Sequence, residues 1–210
     1  MSKKCLIFLN GVIEDYNYIK NKIIDEDFII SVDGGIRHIK ELELYPDLIL
    51  GDFDSSVFSE ALEYKKAEIK KYNKDKDFTD GEIAINYAIK EEFSEVIIIG
   101  ALGNRIDHTF SNVFMLEKLN DNNIIGTIVE KNNEIKYLNE KIIISGNGFK
   151  YFSIVPISKK IVGVTIKNAK YNLDNEIIFR TQTRGISNEF INKDVLISIR
   201  EGSAFVIKSN

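Results

Sequence analysis

The chain has 210 residues, 44% of them hydrophobic, a formal charge of −4 and a single cysteine. That length and apolar content support one large domain or two smaller ones, each with a core. Charges of both signs are interspersed and no Lys/Arg cluster outweighs its surroundings, which leaves nucleic acid and anionic membranes without an electrostatic footprint. With Cys5 alone there is no intrachain disulfide and no cysteine-built zinc site, and no run approaches the roughly 20 apolar residues of a membrane span.

At the N-terminus, Lys3 and Lys4 precede an apolar run over 5–9 that is too short for a signal h-region. The run passes into Asn10-Gly11 without a small-residue cleavage site, so a cytoplasmic protein is expected. Up to about Glu130, apolar runs alternate with helical spacing. Strands are predicted over 5–9, 28–32, 47–50, 67–72, 96–99 and 124–129, with helical spacing between them at Ile19/Ile23 and Phe58/Leu62. Strand and helix in alternation imply a mostly parallel sheet with helices on both faces. The best-marked helix begins at Thr79, where Thr79-Asp80-Gly81-Glu82 fits a capping box; Ile83, Ala84, Tyr87 and Ala88 form its inner face. A second helix follows Asp107, with Phe110, Val113 and Phe114 as the expected inner stripe.

The character changes after about Asn133. Short runs rich in β-branched residues occupy 135–138, 141–144, 151–156, 161–166, 176–179, 195–199 and 204–207, separated by polar turns. Gly146-Asn147-Gly148 has the composition of a hairpin turn between two of them. Short, closely spaced strands of this kind argue an antiparallel β-sandwich. The fold class expected is therefore α/β: an N-terminal domain over 1–130 with a mostly parallel sheet and helices on both faces, then a C-terminal antiparallel β-sandwich over 134–210.

The unusual residues follow the strands. Asn10-Gly11 succeeds the first, Asp33-Gly34-Gly35 the second, Asp52 and Asp54 the third, Asp75, Asp77 and Asp80 the fourth. Gly103-Asn104-Arg105-Ile106-Asp107-His108 succeeds the fifth. In a parallel α/β sheet all of these lie along the carboxyl edge, where such sheets bind ligands. The opposite edge carries acids at 25–27 and 91–95 but no Gly-Asp or Arg-x-Asp constellation. In an extended chain Asp52 and Asp54 point to one side and Phe53 to the other. Two carboxylates about 4 Å apart repel by about 4 kcal/mol at an effective dielectric near 20, so such a pair implies a compensating cation or proton, or full solvation.

This chemistry suits a metal-bound polyphosphate. Mg²⁺ takes one or two carboxylates, waters and phosphate oxygens, which Asp52 and Asp54 can supply with Asp33 and Asp80 nearby. Gly34 and Gly35 would let backbone N–H groups approach a phosphate, and Arg105 could neutralise charge developing in phosphoryl transfer. Each has a plain alternative. Asp80 improves a helix macrodipole without any metal; Gly34-Gly35 can be a left-handed turn; Arg105 and Asp107 can pair with each other at the surface. His108 can be a helix-cap neighbour, and His38, on an expected exposed helix face, has no chemistry. There is no G-x-x-x-x-G-K-[ST] and no G-x-G-x-x-G, since Gly100-Ala101-Leu102-Gly103 lacks the spacing.

The ordered set SVDGG, PDLILGDFDS, DKDFTDGEIA, LGNRIDHTFSN, AKYNL and TRGISNEF resembles thiamine pyrophosphokinases over nearly the whole chain. The resemblance implies transfer of pyrophosphate from ATP to the thiamine hydroxyl, giving thiamine diphosphate and AMP, by a homodimer whose sites lie at the subunit interface. Carried over by position, it implies Asp52, Asp54 and Asp80 as Mg²⁺-binding acids, with Asp33 beside them. The expected ATP contacts are Asn10, Asp33, Gly34, Thr79, Arg105, Asp107 and His108, the last three implied by the resemblance, which also implies Ser187 and Asn188 as thiamine contacts in the C-terminal domain. The sequence has no Trp, where some members place one near the thiamine ring; Phe190 and Tyr171 are the aromatic substitutes. A hydroxymethyl-pterin pyrophosphokinase and a non-catalytic thiamine or nucleotide sensor are the rival readings.

Overall fold

The computed structural model describes residues 3–24, 27–53, 55–73, 77–191 and 193–210. They form two compact units, Met1–Lys131 and Asn132–Asn210.

In the first unit the order is β1 (Lys4–Phe8), α1 (Tyr16–Lys20), β2 (Phe28–Val32), a 3-10 turn at Asp33–Gly35, α2 (Ile36–Glu41) and β3 (Leu48–Gly51). It continues with α3 (Ser55–Ala61), β4 (Glu68–Lys71), α4 (Asp80–Lys90), β5 (Glu95–Ile99), α5 (Ile106–Asp121) and β6 (Ile125–Val129). The strands lie side by side as β6-β5-β1-β2-β3-β4, and every pairing is parallel. Mainly apolar runs make β1, β2, β3 and β5 because both faces are covered, whereas the edge strand β4 reads Glu-Ile-Lys-Lys and is half-exposed. Leu6 and Phe8 of β1 pack with Ile19, Ile36, Ile39 and Ala61 from α1, α2 and α3. Helix α4 lies over β2 and β3, and α5 over β6. Leu6, Ile7 and Phe8 are fully buried, each contributing about 1.5–3 kcal/mol of transfer free energy.

Thr79 caps α4 as its sequence requires, its hydroxyl accepting from the Glu82 amide at 3.2 Å, a cap worth about 1 kcal/mol. The other half of the box is replaced: the Glu82 carboxylate takes the Lys118 ammonium at 2.8 Å. The face that α4 buries is Ala84, Ile85 and Ala88, one position round from that expected, with Ile83 and Tyr87 half-buried at its margin. Helix α5 departs further. Its buried stripe is Val113, Leu116 and Leu119, whereas Phe110 and Phe114 are 59% and 43% exposed. Nothing in a run of aromatics tells the inner face of a helix from an apolar outer one.

The second unit holds β7 (Asn133–Leu138), β8 (Lys141–Ile144), β9 (Tyr151–Pro156), β10 (Lys160–Lys167), β11 (Leu173–Phe179), β12 (Asn188–Glu189), β13 (Val195–Ser198) and β14 (Ala204–Ser209). They pair antiparallel in the orders β12-β9-β14-β7 and β11-β10-β13-β8. Residues of both orders, among them Phe152, Ile154, Val164, Ile178, Ile197 and Val206, share one core, so the unit is a sandwich. Gly146-Asn147-Gly148 does turn the chain, with Asn147 and Gly148 at positive φ and the Phe149 amide on the Gly146 carbonyl at 2.9 Å. The strands it joins are nevertheless not paired: β8 pairs with β13, and β9 with β14 and β12. Turn residues fix a local reversal, but burial decides which strands meet. Among the described residues no helix is long and apolar enough to cross a membrane.

Candidate active site

The chain runs β1 to β4 toward one edge of the parallel sheet, then places β5 on the far side of β1. The loops after β1 and β5 therefore diverge at their carboxyl ends, and such a switch point opens a crevice. The two loops are laced at their start, with the Leu9 amide on the Ile99 carbonyl at 2.8 Å and the Gly11 amide on the Gly100 carbonyl at 2.9 Å. A Cβ on Gly11 would collide with the Gly100 and Leu102 carbonyls, so no larger residue allows this approach. The crevice beyond is a cleft of about 580 Å³, within the range of small-molecule sites.

Asn10, Asp33, Asp52, Thr79, Asp80, Arg105 and His108 all line this cleft. They come from the ends of β1, β2 and β3 and the first turns of α4 and α5. Gly34 is not on its surface; a Cβ there would meet the Asn10 side-chain amide and displace it. The left-handed residue of that turn is Asp33 itself, at φ 45, not Gly34 or Gly35. Asp107 is also off the cleft wall. It faces solvent and forks onto Arg105, Oδ2 to the guanidinium at 2.6 Å and Oδ1 to Nε at 3.3 Å, the surface pair allowed by its spacing. That contact holds the Asp107 carboxyl below its usual range and the Arg105 guanidinium above. Asp54 and Asp75 lie outside the described residues.

The acids at the floor are close. Asp33 accepts the Asp52 amide on Oδ1 at 3.1 Å and hydrogen-bonds to the Asp80 side chain. Burial first, then the charge and hydrogen bond of Asp80 and the charge of Asp52, push the Asp33 carboxyl up to about 7. Strand β3 ends at Gly51, and Phe53 adopts φ 46, so the alternation of an extended chain does not continue through this stretch. Phe53 reaches the core by that kink and packs on Phe58.

Several contributors to this site are not apparent from the sequence. His38, expected on an exposed face, is buried: Nε2 donates to the Gly11 carbonyl at 2.8 Å and Nδ1 accepts from the Tyr16 hydroxyl at 2.8 Å. Burial above all lowers its pKa, keeping the ring neutral. Arg37 grips the same loop through the Asn10 and Gly11 carbonyls at 2.8 and 2.9 Å. Thr109 and Asn112 also face the cleft, and Asn112 donates to the Ala101 carbonyl at 2.8 Å. With Arg105 and His108 they recur at i, i+3, i+4 and i+7, a polar helical stripe that periodicity could have found. Val12 and Phe78 add apolar wall, both more than half exposed.

In the second unit Ser187 stands at φ 56 with its amide on the Ser153 hydroxyl at 3.0 Å. The Asn188 side chain is buried and spent on structure, donating to the Tyr171 carbonyl at 2.7 Å and accepting the Tyr171 amide at 3.0 Å. Tyr171, so pinned, is 56% exposed, whereas Phe190 packs into the core against Phe152 with ring centroids 5.0 Å apart.

Comparison with known proteins gives the chain its relatives. Residues 19–128 match the family model described as thiamin pyrophosphokinase, catalytic domain, and residues 139–203 that described as thiamin pyrophosphokinase, vitamin B1 binding domain. The thiamine pyrophosphokinase of Bacillus subtilis is 31% identical over 184 residues, covering 86% of each chain. Crystal structures of the Bacillus subtilis and Geobacillus thermodenitrificans proteins of that name align with TM-scores of 0.89 and 0.87 at 26% and 28% identity. The alignments cover 99% of this chain in both cases, and 99% and 97% of the respective relatives.

Proposed function

Since the chain belongs to the thiamine pyrophosphokinase family, whose members transfer pyrophosphate from ATP to thiamine, we propose that this transfer takes place in the cleft between the β1 and β5 loops. The observation that carries this reading is the convergence of Asp33, Asp52 and Asp80 at its floor with Arg105 at its wall.

The acids fit Mg²⁺. They offer only carboxylate oxygens, the donors a hard ion selects. They also sit close enough that, with burial, they raise the Asp33 pKa to about 7. Among the described residues no three His, Cys, Asp or Glu side chains form a ready cage. Mg²⁺ needs only one or two carboxylates when phosphate and water complete its shell. Asp52 and Asp80 would hold it with Asp33 beside them, and Asp54 is the further acid of the set. When bound, the ion supplies charge neutralisation for the phosphates.

The protein's own part is positioning and electrostatics. The thiamine hydroxyl oxygen attacks the β-phosphorus in line; the O–Pβ bond forms, the bond from Pβ to the α-phosphate oxygen breaks, and AMP leaves with that electron pair. Asp80 orients the hydroxyl and accepts its proton. Arg105, on the cleft wall, stabilises the charge that builds on the phosphate oxygens. Asn10, Thr79 and His108 line the path of the nucleotide, and Val12 and Phe78 give apolar area for a heteroaromatic ring. Thiamine is received on the second unit by Ser187 and by the face of Tyr171, which Asn188 holds in place. Phe190 is not available for stacking because it packs on Phe152.

The enzyme works as a cytoplasmic homodimer in this reading, one copy presenting the Tyr171 surface to the cleft of the other. Ile106, Phe110 and Phe114 support it: they form an exposed apolar stripe on α5, the helix that also carries the cleft residues. The test is incubation with ATP, Mg²⁺ and thiamine, resolving the nucleotide products. AMP and thiamine diphosphate in equal amounts are expected; ADP would mean single-phosphate transfer and overturn the reading.

A further inference from the structure

The cleft wall after β5 is held from beneath. Gly100, at φ 68, directs its amide to Oε1 of Glu130 at 3.1 Å, and the backbone N–H groups of Ala101 and Leu102 also act on that carboxylate, favouring its charged form. Three successive N–H groups aimed at one point form an anion-binding nest. In a nucleotide-binding sheet such a nest commonly takes a phosphate; here its occupant is a side chain of the chain itself. Glu130 follows directly on β6, is only 8% exposed, and is not among the residues that border the cleft. Gly100, Ala101 and Leu102 do border it. Their amides are spent on Glu130, so they present other atoms to a ligand, and the path of the wall is set by whether the carboxylate holds them.

We infer that Glu130 is a positioning residue: its carboxylate shapes the 100–102 wall of the nucleotide cleft, and protonation of that carboxylate loosens the wall and weakens nucleotide binding. This rests on the assignment of the cleft to nucleotide. A carboxylate accepts three amides; a carboxylic acid turns one oxygen into a donor and can no longer face them all. Burial, the largest influence, raises Glu130 to about 7, against the lowering effect of the three amides. Among the described residues the charge acting on it is Glu14, in the segment after β1, which pushes the same way. Neighbouring Lys131 is engaged by Asp15 at 3.2 Å. Of the elements packed on β6, β5 ends in Ile98 and Ile99, and Lys118 of α5 is bound to Glu82. The switch therefore falls at neutral pH, with the wall firm above it and loose below.

The experiment compares the full-length protein with Glu130→Gln at pH 6 and pH 8. Titration with Mg-ATP should show the variant about tenfold weaker at pH 8, the loss of roughly one charge-assisted hydrogen bond, and equal to wild type at pH 6. Titration of Asp33 affects both proteins alike and cancels in the ratio. A ratio that stays the same at the two pH values would mean a merely structural role and overturn the inference. Amide hydrogen exchange of the ligand-free wild type provides a reading that needs neither the variant nor a nucleotide. Protection at 100–102, corrected for intrinsic exchange, should fall from pH 8 to pH 6; unchanged protection would overturn the inference. Absence of Mg-ATP binding by wild type at any pH would instead refute the nucleotide assignment, leaving the exchange result to decide the role of Glu130.

Discussion

The Asp33 carboxyl is hydrogen-bonded to Asp80 and also caps the Asp52 amide at 3.1 Å, so one half-buried acid joins the ends of β2 and β3 to the first turn of α4. Gly51 makes this possible, because a Cβ there would occupy the position of the Asp33 Oδ1. Two acids brought together in a partly buried floor favour a shared proton or a cation, and the consequences can be measured.

The first concerns stability. Asp33 binds its proton more tightly folded, at about 7, than unfolded, at about 3.9. Between those values the folded state holds more protons, so metal-free stability should fall as pH rises through the window. Solvent screening reduces the effect to about 1–3 kcal/mol. Asp33→Asn should raise the thermal midpoint at pH 8 and leave it unchanged near pH 4, while activity falls sharply. Mg²⁺ with nucleotide should remove most of the difference at pH 8. Thermal unfolding of both proteins across that range is the check; a wild-type midpoint that rises from pH 4 to pH 8 relative to the variant would contradict it.

Arg105 leads to a different expectation. Its fork on Asp107 lies in solvent, where ion pairs contribute little to stability. Arg105→Ala should leave the unfolding midpoint unchanged and lower kcat by about 100-fold or more, the usual effect of removing a group that stabilises transition-state charge. Arg105→Lys should recover only part of the loss, because a point charge replaces a planar fork. Steady-state kinetics beside calorimetric scans separate the two effects.

In the second unit the pairing of Asn188 with Tyr171 predicts a split. Tyr171→Ala should raise KM for thiamine about tenfold with little change in stability, and Tyr171→Phe should retain binding, since the ring face is what is used. Asn188→Ala should also destabilise the protein by about 1 kcal/mol, because two part-buried hydrogen bonds to the Tyr171 backbone are lost. Denaturant titration together with thiamine-dependent kinetics distinguishes the two residues. Tyr171→Ala with an unaltered KM would remove that ring from the thiamine site.

Much of the architecture was legible because it is local. The runs of β1, β2, β3 and β5 are mainly apolar because they are covered twice, and the Thr79 cap needs only the Glu82 amide three residues on. The cleft followed from placing Asn10, Asp33, Asp52, Asp80 and Arg105 after successive strands, which topology alone gathers on one edge. What stayed hidden depends on distant partners. His38 is buried because Tyr16 and Gly11 meet it, and neither is a neighbour in sequence. Phe110 and Phe114 are apolar, yet Val113, Leu116 and Leu119 are the residues that face inward from α5. Glu130 resembled a junction residue because its three amide partners lie about thirty positions earlier in the chain. The tie between the Asn188 side chain and the Tyr171 backbone, 17 positions apart, was equally hidden.

The most direct measurement of whether this acidic floor performs the transfer is the rate of AMP release by Asp80→Asn, with saturating ATP, Mg²⁺ and thiamine. Circular dichroism and the thermal midpoint should first show the fold intact. The expected result is a rate lower by about 100-fold or more, from loss of both a metal-facing carboxylate and the proton acceptor. A folded Asp80→Asn protein releasing AMP within a few-fold of the wild-type rate would contradict the placement of the chemistry between Asp33, Asp52 and Asp80.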